Sequence, residues 1–350
     1  MWLAAYKALG YGASGGGLYV DPADEPVRYL GALVGRLPVL LAAQLGPLPS
    51  EVWVFLPRAA QVVIYGLALT TLAAVAFVLG PVLRRQPVCR FWALGSVLSL
   101  PPVCVTLPSD RLLTFAGVGA MAAIALLMAD ALQRDTPRAQ GRGARVARGI
   151  VLPLLALVHL VVAPLFLPIR ALTMTMLGKM IERVDASIPK GEDIREKTLV
   201  VVNARVDFLL LYTPVQRAVL GVPRPRGLRL LSSGVAETRV SRLDARTLRV
   251  RPAEGFLKSE GERMMRSLSR PFHTGDEVAL SDVRVRVSEV TADGRPAQAD
   301  FSFNVPLEDP SLLWMQWQDG ALSPYSPPAV GGNHVLPPTE AAAASGRAQE

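Results

Sequence analysis

The chain has 350 residues, of which 51% are apolar and 19% charged, with a formal net charge of +8. That balance is too apolar for a wholly water-soluble protein and leaves more than enough surface to bury, so a purely soluble globule and a disordered chain are both excluded. The positive charge does not make a nucleic-acid surface, because the arginines gather beside apolar runs with no aromatic residues interleaved.

Residues 1–60 open with Gly10, Gly12, Gly15, Gly16 and Gly17, a glycine-rich loop. No strand precedes it and no GK[ST] follows, so it is not a phosphate-cradling motif. The run at 29–48 (YLGALVGRLPVLLAAQLGPL) has the length of a span but carries Arg36, Pro38 and Gln44 in its middle. It reads either as a fifth span or as an interfacial or re-entrant helix.

Four runs are long and apolar enough to cross about 30 Å of hydrocarbon: 61–83, 91–107, 112–132 and 149–169. Pro101 and Pro102 predict a kink in the second. Gly117, Gly119 and Ala120 in the third would let another helix approach closely. The transmembrane helical domain is thus expected over 61–169. Arg84, Arg85 and Arg90 form one basic loop, and Arg134, Arg138, Arg142, Arg145 and Arg148 form another. Basic loops stay cytoplasmic, which puts the turn at 108–111, the segment before 61 and everything after 169 on the other side. An outside start with no preceding span calls for a crossing by 29–48 or for upstream spans that this sequence lacks.

After residue 169 the charges become mixed, as on a water-facing surface. Residues 170–194 carry Leu172, Met176, Met180 and Val184 at helical spacing and read as an amphipathic connector. Residues 195–322 read as a β-rich soluble domain, an antiparallel sandwich or small barrel. Strands are expected at 198–203, 228–231, 237–242, 247–251, 277–280, 283–290 and 299–305, with one helix at 206–220. In VRVRVSEV at 283–290, alternation turns Val283, Val285 and Val287 to a core and Arg284, Arg286 and Ser288 to solvent. Gly294 in the stretch 292–296 accepts the positive φ of a tight hairpin turn. Residues 323–350 are expected to be a disordered tail.

Among candidate functional residues, His159 sits within the fourth span, where an ionisable group is costly. A proton relay or a metal ligand is one reading, and a neutral ring hydrogen-bonded to a neighbouring helix is the other. Asp110, with Ser109, lies where it can cap the third span. Asp21, Asp24 and Glu25 are further acidic candidates of the outer segments, and Asp130 reads as interfacial. His273 and Asp276 in FHTGDE read as a polar site or an ordinary turn. Cys89 and Cys104 lack the spacing of a zinc site or a disulfide framework. No metal and no cofactor is expected.

Three segments carry a resemblance: GYGASGGGLYVDP at 10–22, LPSDRLLTFAGVGA at 107–120 and DGRPAQADFSFNVPLEDPSLLWMQWQDG at 293–320. Together they resemble an uncharacterised family of bacterial multi-pass membrane proteins, a likeness that covers most of the chain. Longer members of that family look similar to polytopic glycosyltransferases that use lipid-linked sugars, through an N-terminal part not present in this sequence. The resemblance implies a bacterial inner membrane location and, for the outside start, missing upstream spans. It carries over no active-site residue. Two functions follow as expectations. One is a non-catalytic multi-pass membrane protein whose extracytoplasmic β-domain contacts an envelope component or an upstream membrane protein. The other is the C-terminal part of a lipid-linked-sugar glycosyltransferase, for which Asp21, Asp110 and His159 are the weak catalytic candidates.

Overall fold

A computed structural model describes residues 5–6, 8–9, 15–46, 49–133, 142–204, 207–264, 266–319 and 321–339. The chain divides into two compact units, Met1–Ala171 and Leu172–Glu350.

The first unit is helical. It contains α1 (Pro26–Leu45), the short α2 (Ser50–Phe55), α3 (Arg58–Arg85), α4 (Pro87–Leu98), α5 (Thr114–Leu132) and α6 (Arg142–Leu157). A π-helical turn, Val158–Val162, joins α6 to α7 (Ala163–Ala186), which runs on into the second unit. Five segments are long and apolar enough to cross a membrane: Pro26–Leu45, Arg58–Arg85, Pro87–Val105, Thr114–Leu132 and Arg142–Leu172. The run at 29–48 therefore qualifies by length and composition alongside the four firm ones.

Proline and glycine set the joints. Pro26 and Pro87 start α1 and α4, where a missing N–H costs no helical bond. The kink expected at Pro101 and Pro102 is a complete break: α4 ends at Leu98 and a 3-10 turn follows at Val103–Val105. On α5, a Cβ added at Gly119 would lie 2.5 Å from the Trp92 carbonyl oxygen and 2.9 Å from the Ser96 Cβ. Only glycine allows α4 and α5 to pack so closely. Val75, Val78, Val82, Cys89, Ala123, Ile124, Leu127, Val151 and Leu155 form the main core of this unit. Asp130, expected at a water-facing interface, is instead buried and accepts a 3.0 Å hydrogen bond from Arg148 Nη2.

Contacts on either side of α1 reach the connection between α4 and α5. Ahead of it, the Val20 N–H donates to the Val105 carbonyl, and beyond it the Ser50 N–H donates to Asp110 Oδ1. Both partners lie in the α4–α5 connection, five residues apart. Between them, the Gln44 carbonyl is 3.0 Å from His159 Nε2, and His159 is about 16 Å along its helix from Arg170, which also bonds Asp110.

The second unit contains two open sheets. The strands are β1 (Thr198–Val201), β2 (Gly227–Leu230), β3 (Thr238–Arg242), β4 (Thr247–Pro252), β5 (Glu277–Ala279), β6 (Val283–Val290), β7 (Pro296–Phe303), β8 (Leu312–Gln318), β9 (Ala321–Pro324) and β10 (Asn333–Leu336). α8 (Asp207–Leu220) crosses from β1 to the parallel β2. The order β10-β3-β4-β7-β6-β5 makes a six-stranded antiparallel sheet, while β2-β1-β8-β9 is mixed, with β1 parallel to both neighbours. Val200, Val240, Val250, Phe301, Trp314 and Tyr325 belong to one core, and Val184, Leu199, Val201, Leu210 and Met315 to a second. Successive residues of β1 enter opposite cores, so the four-stranded sheet is covered on both faces.

The β-rich class holds, as does most of the expected detail: β6 spans 283–290, Val283 and Val287 are buried, Val285 packs against the same core, and Gly294 has φ +76°. Three strands were not anticipated. β8 (LLWMQWQ) lacks alternation because both its faces are covered. Of the stretch expected to be a disordered tail, residues 333–336 form β10, paired in antiparallel register with β3, and Tyr325 is buried. Residues 340–350 lie outside the described residues.

Candidate functional site

Two Leu-Pro-Ser-acid tetrapeptides, Leu48-Pro49-Ser50-Glu51 and Leu107-Pro108-Ser109-Asp110, meet at one end of the helical unit. Each tetrapeptide opens a helical turn, α2 from Ser50 and a 3-10 turn from Asp110, whose first main-chain N–H groups have no partner within the turn and are left to side chains. They are satisfied crosswise. Asp110 Oδ1 accepts from the Ser50 N–H at 2.9 Å and from Ser50 Oγ at 2.7 Å. Glu51 Oε1 accepts from the Asp110 N–H and from Ser109 Oγ, both at 2.8 Å. Each acid thus bonds the other's turn, a capping exchange between connections almost 60 residues apart in sequence.

Arg170, at the end of the last apolar run, closes the cluster. Its Nη2 donates to Asp110 Oδ2 at 2.7 Å and lies 4.0 Å from Glu51 Oε2. Glu51 Oε2 is buried and makes no hydrogen bond. Two carboxylates and one guanidinium leave the cluster formally anionic. Its chemistry is that of a clasp: every oxygen of Asp110 is engaged, so a base or nucleophile role for this residue requires breaking a cap and an ion pair. Sequence reasoning found Asp110 as a cap but assigned it to its own helix, and missed Glu51 and Arg170. The duplicated Leu-Pro-Ser-acid pattern was the signal that could have revealed the pairing.

His159 sits in the π-helical turn, with Nδ1 2.8 Å from the Leu155 carbonyl oxygen and Nε2 3.0 Å from the Gln44 carbonyl oxygen. The neighbouring-helix partner is therefore a main-chain carbonyl in the last turn of α1, one of the groups a helix end leaves unpaired. A neutral ring donates from only one nitrogen, so the two contacts cannot both be hydrogen bonds without a second proton. Arg36 solves a similar problem: its Nη1 donates to the Cys104 and Thr106 carbonyls at 2.8 and 2.9 Å. The break after α4 frees those carbonyls, and so accommodates the charge that made 29–48 an expensive apolar segment.

Asp21 is held elsewhere. Its Oδ1 accepts from the Ala23 N–H at 2.9 Å, an Asx turn leading into α1. Among the described residues, Asp21, Asp110 and His159 are held by different partners. Gly10 and Gly12 lie outside the described residues; the carbonyl of Gly17 accepts from Arg28. His273 and Asp276 form an exposed turn, closed by the His273 N–H on Asp276 Oδ2 at 2.9 Å. Cys89 and Cys104 are buried and unpaired with each other. Among the described residues no group of His, Cys, Asp and Glu is arranged to hold a metal ion.

The second unit has a recess of about 410 Å³ lined by Thr198, Arg226, Arg229, Asp282 and Asn304 among others. Asp282 accepts from Arg229 Nε and Nη2 at 2.9 and 2.5 Å, so these two charges are matched inside it. α8 is unusual for its two faces. Leu210, Thr213 and Arg217 are buried, with Arg217 fully so, while Leu211, Tyr212, Val215 and Val219 are each more than half exposed. Beside Leu210 the charged Arg217 faces inward, while four large apolar side chains face outward. Arg217 is compensated by Asp185 and by the carbonyls of Ile188, Pro189 and Pro223 at 2.8–2.9 Å. The outer stripe has no such account.

No family model, curated protein or solved structure matches this chain.

Proposed function

We propose that this is a multi-pass integral membrane protein of the bacterial inner membrane that acts as a docking module, not as a self-contained enzyme. The arginine ends of α3, α4 and α6 face the cytoplasm, α1 is re-entrant, and four spans leave both residue 20 and the second unit on the extracytoplasmic side. The observation that carries the docking role is the reversed polarity of α8. An exposed apolar stripe of this kind on a folded domain marks an interaction surface. Its partner in this reading is an envelope component or a neighbouring membrane protein, in line with the resemblance to longer polytopic proteins.

A photo-crosslinking residue at Val215 or Val219 in intact cells tests the role. One discrete protein adduct is expected at these positions and none at the exposed Arg284. Adduct patterns identical at all three positions, or the same adduct after Leu211→Asp with Val219→Asp, would remove the support for docking. The glycosyltransferase reading is weaker, because Asp110 and Glu51 are occupied as caps; turnover of a lipid-linked sugar by the purified chain would restore it.

A further inference from the structure

The arginine end of the helical unit contains a groove of about 280 Å³ between α3 and α6. From α3 it is lined by Phe77, Val78, Pro81, Arg84 and Arg85, and from α6 by Ala144 and Arg148. On α3 these positions are i, i+1, i+4, i+7 and i+8, one face of the helix read along its length. The face is therefore graded: apolar for its first turn and a half, cationic at its end.

Its three cations differ in how they are held. Arg148 is mostly buried and fixed by the 3.0 Å bond to Asp130. Arg84 and Arg85 are exposed and, among the described residues, form no ion pair. Both lie in the last turn of α3, where the helix dipole favours positive charge. Two unpaired guanidinium groups beside a third, anchored one suit a phosphate, which accepts bidentate bonds from several donors at once. The apolar half beside them suits hydrocarbon, not a free ion.

We propose that this groove binds an anionic glycerophospholipid, with its phosphate on Arg84, Arg85 and Arg148 and the start of an acyl chain along Phe77, Val78 and Pro81. The assignment rests on reading these helices as membrane spans, but on neither their orientation nor the docking role of α8. A surface basic patch would attract any anionic bilayer diffusely; this groove adds a shaped, two-character site that retains one lipid.

The full chain in detergent, examined by native mass spectrometry with added phosphatidylglycerol, phosphatidylcholine or inorganic phosphate, tests it. Phosphatidylglycerol should stay bound to the wild type, with retention falling about tenfold in Arg84→Gln/Arg85→Gln, the loss of two charge-assisted contacts. Arg90→Gln, an exposed arginine in the first turn of α4 outside the groove, should retain the lipid as the wild type does. Equal loss in Arg90→Gln would show diffuse attraction, equal retention of phosphatidylcholine would show that charge is not read, and displacement of the lipid by equimolar phosphate would show a free-anion site; each overturns the proposal. An unchanged melting temperature in the double variant separates lost binding from lost folding. Sedimentation of the chain with carbonate-washed membranes tests the membrane reading separately, so failure of the two can be told apart.

Discussion

Two ionisable side chains of the apolar helices are directed at main-chain carbonyls that a helix end or break leaves unpaired. Arg36 takes the carbonyls exposed by the break after α4, and His159 faces a carbonyl from the end of α1. For His159 this predicts a graded response. His159→Gln keeps a donor and should lower stability little, whereas His159→Leu leaves the Gln44 carbonyl without a partner and should cost about 1–3 kcal/mol. Thermal unfolding of the detergent-solubilised chain measures the difference, and equal effects would point to a role for the ring beyond packing. Arg217 predicts a larger loss. Its removal by Arg217→Ala strands a buried Asp185 and three carbonyls, so about 3–5 kcal/mol is expected in the same measurement. Asp293 supplies a pH dependence. Hydrogen bonds from Arg295 and Thr291 pull its carboxyl from the ordinary 3.8 down to about 2. A folded-state value below the unfolded one stabilises above about pH 4 and loses that contribution as pH falls from 4 toward 2. The gap in urea midpoint between wild type and Asp293→Asn should therefore close across that window.

Elements of the two units are joined by different devices. α4 and α5 meet through glycine: Gly119→Leu must push its side chain into the Trp92 carbonyl and Ser96, and should separate the helices at a cost of about 1–3 kcal/mol or more. Ser96 would lose its 2.8 Å bond to the Ala116 carbonyl in the process. Gly119→Ala tests the limit, because even one methyl group has no room there. In the second unit the corresponding device is the covered face of β6. Val287→Asp puts an unpaired charge into the core and should prevent folding, while Val285→Asp, at a partly exposed position on the same face, should be tolerated better. Circular dichroism of the two variants measures the ranking, and the reverse order would mean that the core is not where the burial of these residues puts it.

Across the whole molecule, the orientation proposed from the arginine distribution can be measured directly. In the proposed topology a cysteine introduced at Arg142 should resist an impermeant thiol reagent in intact cells, and one at Asp24 or Arg284 should react. Reaction at 142 would invert the topology, and protection at 24 alone would make α1 a true span.

What was legible in the sequence is what is encoded locally. Run length identifies four of the helices apolar enough to cross a membrane, alternation identifies β6 and its buried valines, and an Asp-Gly pair between strands identifies the turn at 292–296. Each depends on residues within a single helix length or hairpin. The path of α1 does not, since its cost and its relief sit about 70 residues apart, in Arg36 and the Cys104 and Thr106 carbonyls. The same holds for the clasp of Ser50, Glu51, Ser109, Asp110 and Arg170, where capping partners come from other connections. β8 was concealed because a strand covered on both faces loses the period that reveals strands, and β10 because its stability comes from pairing with β3 nearly 100 residues earlier. Only the tertiary structure decides these, because a hydrogen bond or a covered face is satisfied by whatever lies across space, and local pattern carries no record of it.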